Sequence, residues 1–146
     1  DIIVIAGMGG ETISHILAAA PWAKQPNISL ILQPMSTQPE LREWLLSNGC
    51  EIVEEHLAQE GETLYVVMEV QGGQSQSYTE GELWAGKQSH DPLRGAYLQH
   101  QLNRLKRAVL GLGQSQQPEA QERKRKLEGL ISELSDMKKE WEQWQP

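Results

Sequence analysis

The chain has 146 residues, 38% hydrophobic and 23% charged, with a net charge of −7. That balance suits one soluble domain or a small domain with an appendage, and no apolar run reaches the roughly 18 residues of a membrane-spanning helix. Cys50 is the single cysteine, which excludes a disulfide framework and fits a reducing cytoplasm.

Ile2–Ala6 is a continuous apolar run, the pattern of a parallel strand buried on both faces. The glycine-rich turn Gly7-Met8-Gly9-Gly10 follows, and residues 11–20 read as a helix with Ile13, Ile16 and Leu17 on one side. Pro21 ends that helix, because proline lacks the N–H donor and restricts the residue before it. Ile28–Leu32 reads as a second buried strand, closing in Gln33-Pro34. Ser36 or Thr37 is placed to cap a further helix that has Pro39 in its first turn and carries Leu41, Trp44 and Leu45. Asn48-Gly49 ends it. Residues 50–58 and Thr63–Val70 then read as two strands around a tight Glu60-Gly61-Glu62 turn, a linkage so short that the pair must be antiparallel.

Residues 73–92, rich in Gly, Ser and Gln, read as a polar linker. Beyond it Leu98, Leu102, Leu105, Val109 and Leu112 recur at alternating spacings of four and three. "GLGQSQQP" breaks that helix, and Leu127, Leu130, Ile131, Leu134, Met137, Trp141 and Trp144 form a second stripe. The segment 93–146 is thus predicted to be a helical hairpin with a coiled-coil-like seam. The fold class is α/β: residues 1–72 form a sheet ending in an antiparallel hairpin, followed by that helical unit. Two parallel strands and a hairpin are few for an open α/β sheet. A first strand apolar on both faces also invites aggregation at an edge, so further strands are expected beside Ile2–Ala6, upstream of residue 1.

Charge is divided unevenly. Residues 1–70 hold 2 basic and 10 acidic side chains, whereas 97–126 hold seven basic residues against Glu119 and Glu122. The basic set is Arg104, Lys106, Arg107, Arg123, Lys124, Arg125 and Lys126. Solvated helix faces and contacts to nucleic-acid phosphates both account for such a cluster.

Ligands of open parallel sheets bind outside the carboxyl ends of the strands. Those ends here are Gly7–Gly10 and Gln33-Pro34-Met35, while Asp1 lies at the opposite end, about 17 Å away. The glycine turn either admits a ligand close to its backbone, with helix N–H groups favouring an electron-rich partner, or simply packs helix on strand. It is neither a P-loop nor GxGxxG. Gln33 offers an amide to a base edge, or forms a surface turn. His15, His56, His90 and His100 lack metal-ligand spacing, and Cys50 reads as a small buried residue. Glu54, Glu55, Glu60 and Glu62 read as a solvated hairpin edge, and Trp141 and Trp144 as hairpin packing.

Taken in order, Ile5-Ala6-Gly7-Met8-Gly9-Gly10, Leu32-Gln33-Pro34, Leu41-Arg42-Glu43-Trp44-Leu45, Asn48-Gly49, Tyr65 and the helical tail resemble the TrmK-type bacterial tRNA adenine-N1-methyltransferases. The resemblance implies a class I S-adenosylmethionine-dependent methyltransferase sheet of seven strands, with Ile2–Ala6 as the fourth and the hairpin as the last two. It implies S-adenosylmethionine as cofactor, lined by Gly7, Met8, Gly9 and Gly10, and tRNA as partner. Gln33 and Pro34 then face the substrate, and Arg104, Arg107, Arg123 and Arg125 contact its phosphates. No metal and no membrane are implied. The principal donor-binding loop and its ribose-holding carboxylate are expected outside residues 1–146. Adenine N1 carries a lone pair, so direct in-line displacement needs no strong general base. What the reaction needs is alignment at about 3 Å and a base withdrawn from the stack. The other function class compatible with the sequence is a non-enzymatic interaction module whose working part is the helical hairpin.

Overall fold

Five successive apolar residues extend into β1 (Ile2–Met8), which pairs in parallel with β2 (Ser29–Pro34), from Ile2 opposite Ser29 to Ile5 opposite Leu32. The computed structural model describes residues 1–73, 76–88 and 90–146, and the chain divides into two units, Asp1–Asp91 and Pro92–Pro146. Gln74, Ser75 and Ser89 of the expected linker lie outside the described residues.

Between the parallel strands runs α1 (Gly10–Ala19), stopped by Pro21, at which Pro21–Lys24 form a short 3-10 turn. After β2 comes α2 (Gln38–Ser47), with proline in its first turn. The hairpin is β3 (Cys50–Glu60) and β4 (Thr63–Gly72), turning at Gly61-Glu62. The sheet order is β1-β2-β4-β3: the last strand inserts between β2 and β3 and runs antiparallel to both. β1, β2 and β3 therefore point the same way.

One sheet face is covered. Ile5, Leu30, Leu32, Val66, Met68 and Val70 are buried with Ile13 and Leu17 of α1 and Leu41 and Leu45 of α2. Such burial stabilises by about 25 cal/mol for each Å² of apolar surface removed from water. The opposite face carries the alternate residues, and Ile2 and Val4 are 71% and 65% exposed there.

Ile2–Ala6 is thus not buried on both faces, as its apolar run suggested, and three further sequence expectations change. Thr37 occupies the N-cap position of α2 but makes no cap to that helix; its φ of 50° turns the hydroxyl towards α1, where it accepts from Glu11 N–H at 3.1 Å. Glu55 is not a solvated edge residue. A register shift between Ile52 and Glu54 moves the alternation by one, turning Glu55 inward. There Arg42, fully buried, donates from Nε to Glu55 Oε2 at 3.1 Å and from Nη1 to Leu83 O at 2.6 Å. The 73–92 segment also folds. Its helix α3 (Glu80–Ala85) starts at a Thr79–Glu82 capping box and belongs to the first unit. Gln76 pairs with both the N–H and the C=O of Ile52, and Asp91 accepts from Leu57 N–H at 3.0 Å. Side chains thus occupy the outer edge of β3, one way of protecting an edge strand from pairing.

The second unit is an antiparallel hairpin of α4 (Arg94–Gly113) and α5 (Pro118–Gln143). Leu98, Leu102 and Leu105 are buried, as are Leu130 and Leu134. The break is narrower than the glycines suggest, since α4 continues through Gly113 and only residues 114–117 connect the helices. Trp141 lies against Gly95, whereas Trp144 is 67% exposed.

Candidate functional site

The carboxyl end of β1 is shaped by one bulged glycine. The register shifts between Ala6 and Met8, and Gly7 takes φ +75°, a left-handed conformation that glycine adopts without strain. Gly7 N–H donates to Gln33 Oε1 at 2.9 Å. A side chain of β2 thereby satisfies the donor that the bulge withdraws from the ladder. The sequence singled out both residues for one site, and the structure brings them together. A Cβ built on Gly7 would meet no heavy atom within 4 Å, so its backbone lies open to close approach. Met8 is 41% exposed, and its carbonyl accepts from Met35 N–H at 2.8 Å.

Gly9 and Gly10 serve a different purpose. Gly10 N–H donates to Ser36 O at 2.9 Å, and Glu11 N–H is taken by Thr37. The first donors of α1 are therefore used inside the protein rather than offered to an anion. A Cβ on Gly10 would lie 2.6 Å from Thr37 O, and one on Gly9 would lie 2.8 Å from Ser36 Oγ. These two glycines let the turns after β1 and β2 interlock. Pro34 is buried.

An open groove of about 600 Å³ lies on the uncovered sheet face. β1 contributes Val4, Ala6 and Gly7, and β2 contributes Ile31 and Gln33, with Met35 after it. The hairpin adds Ala58, Glu60, Tyr65 and Val67. Gly7, Gln33 and Glu60 stand at the carboxyl ends of the three like-directed strands, where the rule for open sheets puts a ligand. Glu60 and the hairpin's part in the groove escaped the sequence reading, because a hairpin turn rich in glutamate looks solvated. The position of β4 between β2 and β3 is what brings Tyr65 and Val67 to the groove beside β2. Asp1, at the far end of β1, lies beside Asn27 and Ser29.

The remaining candidates separate. His56 contacts Glu54 at 3.1 Å on the surface, and among the described residues no group of three His, Cys, Asp or Glu side chains is placed to hold a metal ion. Cys50 is buried, which pushes its thiol pKa up. In the second unit, Arg104 and Arg107 lie on α4 and Arg123 and Arg125 on α5, in the halves nearest the connection. All four are exposed, and Lys106, Arg107, Arg123, Arg125 and Lys126 make no ion pair among the described residues.

The chain is similar to known proteins over most of its length. A Bacillus subtilis (strain 168) tRNA (adenine(22)-N(1))-methyltransferase is 35% identical over 81 residues, 56% of this chain and 34% of that protein. This chain thus spans about a third of that relative's length. A Streptococcus agalactiae protein of the NADB-Rossmann superfamily is 30% identical with a TM-score of 0.75, over 94% of this chain and 60% of that one. A Streptococcus pneumoniae protein solved in complex with S-adenosyl-L-methionine is 26% identical with a TM-score of 0.72, over 94% and 59%. The family model described as TrmK, tRNA (adenine(22)-N(1))-methyltransferase, matches residues 1–136, and the chain belongs to that family.

Proposed function

We propose that the protein methylates N1 of adenine 22 in tRNA with S-adenosylmethionine as donor, in the cytoplasm. The observation that carries this reading is the open carboxyl edge of β1 and β2, with Gly7 bare and braced by Gln33 in a chain of this family. Family membership favours the enzyme over an interaction module. The residues present suit a bulky ligand at that edge: Gly7 presents backbone without side chain, and Met8 is partly exposed beside it.

In this reading Gly7 and Met8 face the donor, and Gly9 and Gly10 hold the turn in shape. When bound, S-adenosylmethionine supplies an electrophilic methyl group. Adenine N1 needs no deprotonation, so the chain's task is positioning, and Gln33 keeps the Gly7 turn from moving. The product base is cationic. The acidic excess of residues 1–70 favours that charge. The exposed arginines of the hairpin hold tRNA phosphates.

The test is methyl transfer from labelled S-adenosylmethionine to tRNA by the full gene product carrying this chain, with the product base mapped by primer extension. The expected result is a stop at adenine 22 that disappears when that base is guanine. Label at another base, or none on any tRNA, would overturn the proposal.

A further inference from the structure

The helical hairpin carries its cations on two unlike flanks. Lys138 Nζ donates to Gln99 Oε1 at 2.9 Å, and Lys124 Nζ lies 3.8 Å from a Cβ built on Gly113; these two contacts fix how α4 and α5 run level. By that alignment Arg107 and Ala108 are level with Gly129, and Gly111 with Lys126. Helical spacing then decides the side. Arg107 and Gly111 are four residues apart on α4, and Arg125 and Lys126 precede Gly129 by four and three on α5. Both sets turn away from the flank that Gly113 and Lys124 mark, so they share the other one. There Ala108, Gly111 and Gly129 are small and exposed, and a Cβ on either glycine would meet nothing within 4 Å. Arg107, Arg125 and Lys126 are exposed and make no hydrogen bond or ion pair among the described residues. On the Gly113 flank, by contrast, Lys124 pairs with Glu128 at 3.9 Å.

Bare helix surface rimmed by uncommitted cations suits a bulky anion. Resting on the methyltransferase reading above, we infer that this flank seats the phosphodiester backbone of tRNA between α4 and α5, with Arg107, Arg125 and Lys126 donating to its oxygens. Packed helices lie only about 8–10 Å apart, and four residues rise about 6 Å, so long side chains from both helices reach neighbouring phosphate oxygens. The arginines add charge-assisted bonds that can be bidentate. A side chain at 111 or 129 would hold the backbone off, and glycine there lets it approach. Glu122 and Glu133 stand about a turn beyond the patch in either direction along α5, and their charge confines the anion to this stretch. Lys106 lies two turns from Gly113 on the same face of α4, so Lys106 and Lys124 belong to the flank turned from the RNA. The contact positions the tRNA and reads no base.

Bulk without charge separates this seat from a diffuse basic surface. Gly111→Leu combined with Gly129→Leu fills it, and leucine is the better helix former, so thermal stability should hold or rise. With the full gene product and an unmodified tRNA transcript, Kd in that variant should rise about tenfold, the loss of roughly one hydrogen bond to a charged group. Gly113→Leu adds the same bulk to the other flank and should leave Kd unchanged. Arg107→Ala with Lys126→Ala should lower the slope of log K against log salt by about 2, whereas Lys106→Ala with Lys124→Ala should leave it nearly unaltered. Three results would overturn the seat while adenine 22 is still methylated and the methyltransferase reading stands. They are a double-leucine variant that binds tRNA as tightly as the unsubstituted protein, a Gly113→Leu variant weakened equally, and the same change of slope for both cation pairs. An unsubstituted protein that binds tRNA with the expected pattern yet methylates none keeps the seat and overturns the methyltransferase reading.

Discussion

At the scale of single residues, the four positions of the glycine turn divide into two jobs. Gly7 adopts a backbone conformation that most side chains resist, with open space around it, whereas Gly10 is confined by Ser36 and Thr37. Gly10→Ala should therefore cost about 1–3 kcal/mol, the usual penalty of overpacking, read as a lower midpoint in urea. A string of glycines cannot reveal this division, because the partner turn lies 26 residues further on. Titration adds a second prediction. Burial raises the pKa of Cys50 above its ordinary 9.0, and burial with the nearby Glu55 charge raises that of Tyr78. The folded chain thus keeps protons that the unfolded chain releases, so stability is full below about pH 9 and falls as pH rises above it. Unfolding midpoints measured from about pH 7 to 10.5 should show that fall, and Cys50→Ala with Tyr78→Phe should flatten it.

Among elements, the decisive feature is the Arg42–Glu55 pair with its bonds to α3. Arg42 sits between Leu41 and Leu45 on the buried side of α2, so its place in the helical period was a readable signal. Its partner was not readable. Strict alternation from Ile52 would send Glu55 outward, and only the extra residue at Val53 turns it in. Removing one member of a buried pair leaves an uncompensated charge, so Arg42→Ala should cost about 3–5 kcal/mol. Combining Arg42→Met with Glu55→Leu should recover most of that loss in a double-mutant cycle. Hydrogen exchange in the Arg42→Ala protein should rise first across 80–85, because Leu83 and Trp84 lose a shared donor. In the helical hairpin, Leu134→Ala should cost about 2–5 kcal/mol. Gly111→Ala meets nothing within 4 Å and should stabilise α4 by about 0.5–1 kcal/mol.

For the whole molecule, charge follows the two units: 2 basic against 10 acidic residues over 1–70, and a basic cluster over 104–126 in the hairpin. If the hairpin arginines hold phosphates, replacing Arg104, Arg107, Arg123 and Arg125 with Ala should weaken tRNA binding. The slope of log K against log salt should also fall by about 1 for each arginine–phosphate pairing removed. Filter binding at several salt concentrations measures both. An unchanged slope returns these residues to solvated surface.

What the sequence settled alone were the local matters. Apolar runs, proline stops and four-three spacing are set by neighbours in the chain, and β1, α1, β2, α2, the hairpin strands and both long helices follow from them. Tertiary structure decided the rest. Whether β4 would lie inside or outside β3 depends on which strand finds partners along both its edges, and no periodicity of either strand encodes that choice. The insertion sets Tyr65 and Val67 of β4 next to β2 in the groove. It also leaves β3 at the edge that the apparent linker folds over. Both outcomes depend on backbone donors, acceptors and charges finding partners distant in sequence, a condition that exists only once the chain is closed.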